Sequence, residues 1–172
     1  MSNTVTTRPP RSVQAGLLGL AGVALYATVG VLQVLVWNPM AAVPGETLGD
    51  IRAQLAQANA PLTGAAVVTW AIVGMLVSVV VLIFATTRAS VTTELVVAAT
   101  LVLLVFVAPG HIFVAFGPGI SIADTFGVSG ADHAPWGGVL YLVSGFALAG
   151  LIVLIIRAAR SRAATPGTQP RA

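Results

Sequence analysis

The sequence predicts an all-α integral membrane protein: a four-transmembrane-helix bundle with both termini in the cytoplasm and two long outer loops. Three observations carry this. Only 8% of the 172 residues are charged while 57% are hydrophobic, whereas a soluble domain is about 25% charged; a mean hydropathy of +0.97 points the same way. Four stretches, 13–37, 64–85, 95–116 and 136–156, are free of Asp, Glu, Lys and Arg and match the roughly 20 helical residues that cross a bilayer core. The arginines gather at the ends of these stretches rather than within them.

The polar residues 1–12 form an amino-terminal tail, expected to be disordered and cytoplasmic. The first span, 13–37, is 25 residues long, against about 7 to 15 for the apolar part of a signal peptide, so it reads as a retained helix. Continuous apolar runs such as Met75 to Phe84 and Leu101 to Val107 exclude the alternating pattern of a barrel strand. The backbone in lipid must then be helical, because lipid offers its polar groups no partner.

In the first outer loop, Leu48, Ile51 and Leu55 recur at helical spacing. Thr47 followed by Asp50 resembles a capping box, and Asn59-Ala60-Pro61 ends the run. A short amphipathic helix on the membrane surface or across the bundle mouth is expected. Thr92, Thr93 and Glu94 open the third span, where a carboxylate suits the helix dipole. Pro109 and Gly110 are expected to kink or stop that span. Residues 112–128, broken by Gly117-Pro118-Gly119, are then expected to fold back over the outer helix ends as a lid-like loop. Residues 158–172 form an arginine-containing tail, also expected to be disordered.

Orientation follows from arginine. With the amino terminus inside, Arg8, Arg11, Arg88, Arg157, Arg160, Arg162 and Arg171 are cytoplasmic and only Arg52 is outside, a strong positive-inside bias. Trp37, Trp70 and Trp136 then lie towards the outer leaflet, as interfacial anchors. Small residues four apart, Ala15/Gly19, Gly74/Ser78 and Gly145/Ala149, are expected to form the seams where helices touch.

The absence of cysteine removes disulfides, thiolate metal sites and lipid attachment through sulfur. Facing histidine pairs for haem are missing, as is a carboxylate within any span for cation-coupled transport. Eight arginines and no lysine suggest a GC-rich bacterial genome, and their scatter excludes a nucleic-acid face. No cofactor is expected. His111, Asp124, Asp132 and His133 have metal-ligand chemistry but fall at no recognised ligand spacing, so no metal site is assigned to them. Gln33, Thr28, Ser144 and Thr100 are the residues for a polar path through the bundle. Phe113, Phe116 and Phe126 are the residues for an outer contact surface.

The functional expectation is a non-enzymatic protein of the cell membrane that acts through contacts, as an accessory or assembly subunit or an envelope component. Its partners would be the lipid bilayer and either another membrane protein or further copies of itself. The alternatives are a small oligomeric channel or transporter, and an outer-face metal-dependent sensor or enzyme.

Overall fold

The computed structural model describes residues 10–163, and among these every regular element is helical. In chain order they are α1 (Arg11–Leu32), a π-helical turn (Gln33–Trp37), α2 (Asn38–Ala42), α3 (Leu48–Gln57), α4 (Ala65–Thr87), α5 (Thr93–Phe126) and α6 (Trp136–Ala163). The first three run on as one helical stretch. That stretch, α4, α5 and α6 are each long and apolar enough to cross a membrane. The tails expected at 1–12 and 158–172 fall mostly outside the described residues; where they overlap, Arg11 and Ser12 open α1 and α6 continues to Ala163.

α1 packs against α4, α5 and α6, and α5 also meets α4 and α6. α1 and α5 therefore form the shared centre, with α4 and α6 on either side. One end of the bundle carries Arg11, Arg88, Arg157, Arg160 and Arg162. The other carries Trp37 and Trp136, whose rings stack at 5.2 Å.

The second expected loop is corrected. α5 is unbroken over 34 residues, with Pro109 and Pro118 inside it, so 112–126 is helix rather than a lid. Each proline removes one backbone bond; around Pro109 an apolar surrounding offers the remaining ones no better partner, and beside Pro118 the helix is seated against the following loop through Gly119. Pro109 is on the exposed side of the helix. Gly119 is buried because the Gly130 carbonyl lies 3.0 Å from where its Cβ would be. That glycine seats a loop and breaks nothing. The helix stops at Gly127, whose φ of +66° gives a left-handed cap with its N–H donating to the Ala123 carbonyl. The connection to α6 is thus only 127–135.

The amphipathic helix forms as α3. Thr47 Oγ1 accepts the Asp50 N–H at 3.2 Å, and the Thr47 hydroxyl donates to the Asp50 carboxylate. Asp replaces the longer Glu of a capping box, and its carboxylate meets the hydroxyl of the cap residue. Asn59, at φ +56°, ends the helix, with Ala60 N–H reaching back to the Leu55 carbonyl. Ile51 and Leu55 are fully buried with Ala42 and Ile122, and Phe126, Val43 and Leu62 pack around them. α3 therefore lies across the bundle mouth, clamped on the ends of α2 and α5. Arg52 adds a bond from Nη2 to the carbonyl of Leu35 in the π-helical turn. At the other end Thr92 caps α5 by accepting the Leu95 N–H, with Glu94 in the first turn.

The seams are partly corrected as well. A Cβ at Gly145 would meet nothing within 4 Å, and one at Gly74 only a Val23 methyl at 3.9 Å. Close approach occurs elsewhere. A Cβ at Gly19 would sit 2.6 Å from Thr100 Oγ1, and one at Gly16 2.9 Å from a Leu82 methyl.

Candidate functional site

Beneath the α3 cap, the tryptophan end of the bundle holds a polar interior. Trp70 of α4 enters between α1 and α5 because both present glycine there. A Cβ at Gly30 would lie 2.7 Å from Trp70 Cη2, and one at Gly110 would lie 2.9 Å from its Nε1. The Trp70 ring meets Tyr26 at 6.3 Å and His111 at 5.5 Å. Trp70, expected as an interfacial anchor, is a wedge between helices, whereas Trp37 and Trp136 pack on each other at the end of the bundle.

His111 is 0% exposed; neither ring nitrogen completes a well-formed hydrogen bond among the described residues, and the polar group that bears on the ring is the backbone at Gly30. Its other aromatic neighbour is Tyr141, 6.1 Å away and edge-on. The Tyr141 hydroxyl in turn donates to the Asp132 carboxylate. A buried polar atom without a partner is costly, and the Trp70 and Tyr141 rings pack against the imidazole without satisfying its nitrogens.

Gln33 opens the π-helical turn and is also 0% exposed. Its Nε2 donates to the Ala134 carbonyl at 3.2 Å, while Oε1 has no partner among the described residues. Such turns add a residue to a helix and re-aim its side chains; here the result ties α1 to the 127–135 loop. Asn38 makes the second tie, its Oδ1 accepting the His133 backbone N–H at 2.6 Å. Asp132 folds against the start of α6, where Gly137 leaves it room and Tyr141 donates to it at 3.4 Å.

Deeper in the bundle, the Tyr26 hydroxyl lies 3.2 Å from the Leu140 carbonyl and 3.1 Å from Ser144 Oγ. The Ser144 hydroxyl in turn donates to the Leu104 carbonyl at 2.8 Å. These bonds lock α1, α5 and α6 together.

The residues named for a polar path are not brought together. Gln33 and Ser144 are interior, but Thr28 is exposed on the outside of α1 and returns its hydroxyl to the Ala24 carbonyl. Thr100 likewise bonds its own helix at Val96. Of the four metal-type residues, His111 and Asp132 both border Tyr141. Asp124 is exposed near the end of α5, and His133 turns its ring to Ser129. Among the described residues no group of three His, Cys, Asp or Glu side chains could hold a metal ion. Phe113 and Phe116 are 82% and 67% exposed on α5, whereas Phe126 packs into the cap core.

Sequence reasoning missed Tyr26, Asn38 and Tyr141. The signal was weak: a tyrosine inside an apolar run counts as hydrophobic, although its hydroxyl must find a partner once buried. No protein-family model matches the chain, and neither curated proteins nor solved structures yield a significant match.

Proposed function

We propose that this is a non-enzymatic, contact-making protein of a bacterial cell membrane, an accessory or assembly subunit with both termini cytoplasmic and the α3 cap outside. The observation that carries the reading is the construction of the cap. Ile51 and Leu55 are fully buried against α2 and α5, and both ends of α3 are capped by local bonds. The remaining face of α3, with Arg52, Gln54 and Gln57, is exposed. A well-capped helix docked by its own apolar face, with outward side chains that no pore requires, suits recognition. Phe113 and Phe116 add a second exposed apolar patch, on α5.

A channel reading has less support, since two of its four polar residues spend their hydroxyls on their own helices. The test is site-specific photo-crosslinking in the native membrane from Gln54 and from Phe113, with the 76%-exposed Phe146 of α6 as a lipid-facing control. A discrete protein adduct from Gln54 that disappears when Gln57 is changed to Arg is the expected result. Adducts no stronger than those from Phe146 would refute the reading.

A further inference from the structure

The two ends of the molecule differ sharply in charge. Among the described residues, the end formed by the α4–α5 connection carries Arg11, Arg88, Arg157, Arg160 and Arg162 with one carboxylate, Glu94. The tryptophan end has four carboxylates, Glu46, Asp50, Asp124 and Asp132, and one arginine, Arg52. The arginines also share a level. Gly16 of α1 faces Leu82 and Ala85 of α4, so at about 1.5 Å per residue along antiparallel helices Arg11 stands beside Thr87 and Arg88. Gly150 faces Leu101, which by the same rise puts Arg157 beside Glu94.

At this end α4 and α5 part to form a groove of about 270 Å³, lined by Val81, Phe84, Val91, Leu95, Val96 and Ala99. No polar side chain lines it. At the roughly 30 Å³ that a water-sized group occupies, it holds on the order of nine such groups, a substantial part of one acyl chain. Arg88 stands between the helices that form it, caps α4, is exposed, and makes no side-chain hydrogen bond or ion pair among the described residues.

We propose that this groove seats one acyl chain of an anionic phospholipid whose phosphate lies against Arg88. The groove alone would not select it. One lipid chain leaves other lipid to enter, so apolar contact gives little preference between lipids. Selection comes from the headgroup. A guanidinium matches a phosphate in geometry and charge, and the surrounding arginines raise the local concentration of anionic lipid over zwitterionic lipid. Glu94 opposes this from the first turn of α5, but it stands against five cations.

The test uses the full chain in a neutral detergent, with lipid adducts read by native mass spectrometry after adding phosphatidylglycerol or phosphatidylcholine of identical chains. Phosphatidylglycerol should be retained roughly fivefold better, the preference expected from one well-placed arginine near the headgroup. Arg88→Gln should remove most of that preference. Ala99→Phe, which fills the groove, should lower retention of both lipids; Leu95→Ala, on a 57%-exposed side chain, replaces it as the groove variant if the first melts early. Excess inorganic phosphate should leave the adduct in place, because it brings no chain. Equal retention of the two lipids, an unchanged preference in Arg88→Gln, or displacement by phosphate alone would each overturn the proposal.

Discussion

Gly30→Ala should destabilise the bundle, and the structure supplies the size of the effect. The added methyl would lie 2.7 and 2.8 Å from Cη2 and Cζ3 of Trp70 and 3.3 Å from Cδ2 of His111. Trp70 cannot retreat across α5, where Gly110 already lets its Nε1 come within 2.9 Å of a notional Cβ. Overpacking of this kind costs about 1–3 kcal/mol. For a chain of this size that is a fall of roughly 2 to 12 °C in melting temperature. Gly145→Ala is the control. Its methyl meets nothing within 4 Å, and the change favours the helix by up to about 1 kcal/mol, so its melting should be unchanged or slightly higher.

The assay is thermal melting in a mild detergent, completed as a cycle with Trp70→Phe, which deletes the benzo atoms that the new methyl would strike. The double variant should recover at least about 0.5 kcal/mol relative to additivity. If Gly30→Ala melts with the native protein, or if the two changes simply add, Trp70 does not fill the space between α1 and α5 and the wedge is wrong.

Leu55→Ala should cost about 2–5 kcal/mol within the cap core, seen as faster backbone hydrogen exchange across α3 while the exchange of α1 and α4 is unchanged. Tyr26→Phe removes a hydroxyl shared by the Leu140 carbonyl and Ser144 and should lower stability by roughly 0.6 kcal/mol, the usual scale between membrane helices, with Ser144→Ala adding less than its own effect on top. Gly137→Ala drives a methyl into the Asp132 carboxylate; it should loosen the 127–135 loop and speed its proteolysis, and Asp132→Ala should relieve that. An alkaline phosphatase reporter fused after Arg162 should show no periplasmic activity, and high activity there would reverse the proposed orientation.

What could be read from the sequence was local. The apolar runs, the Thr47 and Thr92 caps and the Leu48–Ile51–Leu55 stripe all follow from neighbours within a few residues. The course of α5 does not follow, because Pro109-Gly110 and Gly117-Pro118-Gly119 carry the local marks of a helix end, while the contact that seats Gly119 comes from Gly130 beyond the helix. Gly127 held the better signal, as a left-handed cap just past an apolar residue. Seams were harder still. Spacing places Gly74 and Gly145 among the small residues but cannot say which face of a helix meets another, and the glycines that matter are defined by Trp70, which belongs to another helix. Gln33 stood out as an amide in an apolar run; its ties to Ala134 and the turn it opens depend on residues about one hundred positions away.

The helix lengths explain why a cap is present at all. Trp70 marks one level shared by Gly30 and Gly110. From that level, at about 1.5 Å per residue, α4 begins about 8 Å away at Ala65, α2 ends about 18 Å away at Ala42, and α5 ends about 24 Å away at Phe126. Tilt cannot absorb the difference: laying the roughly 51 Å of α5 within a 30 Å slab would need about 54°, beyond the usual 0–40° of membrane helices. In the proposed placement the excess projects at the tryptophan end, which would lift Asp124 clear of the hydrocarbon. On that placement Ala42 and Ile122 would meet water if α3 did not cover them with Ile51 and Leu55. The cap core shares no member with the Tyr26, Val107 and Leu140 core of the bundle, and Gln33, Asn38 and the 127–135 loop lie between them. Two cores separated by a polar layer can open independently, so the surface proposed for recognition can move while the four helices below it stay packed.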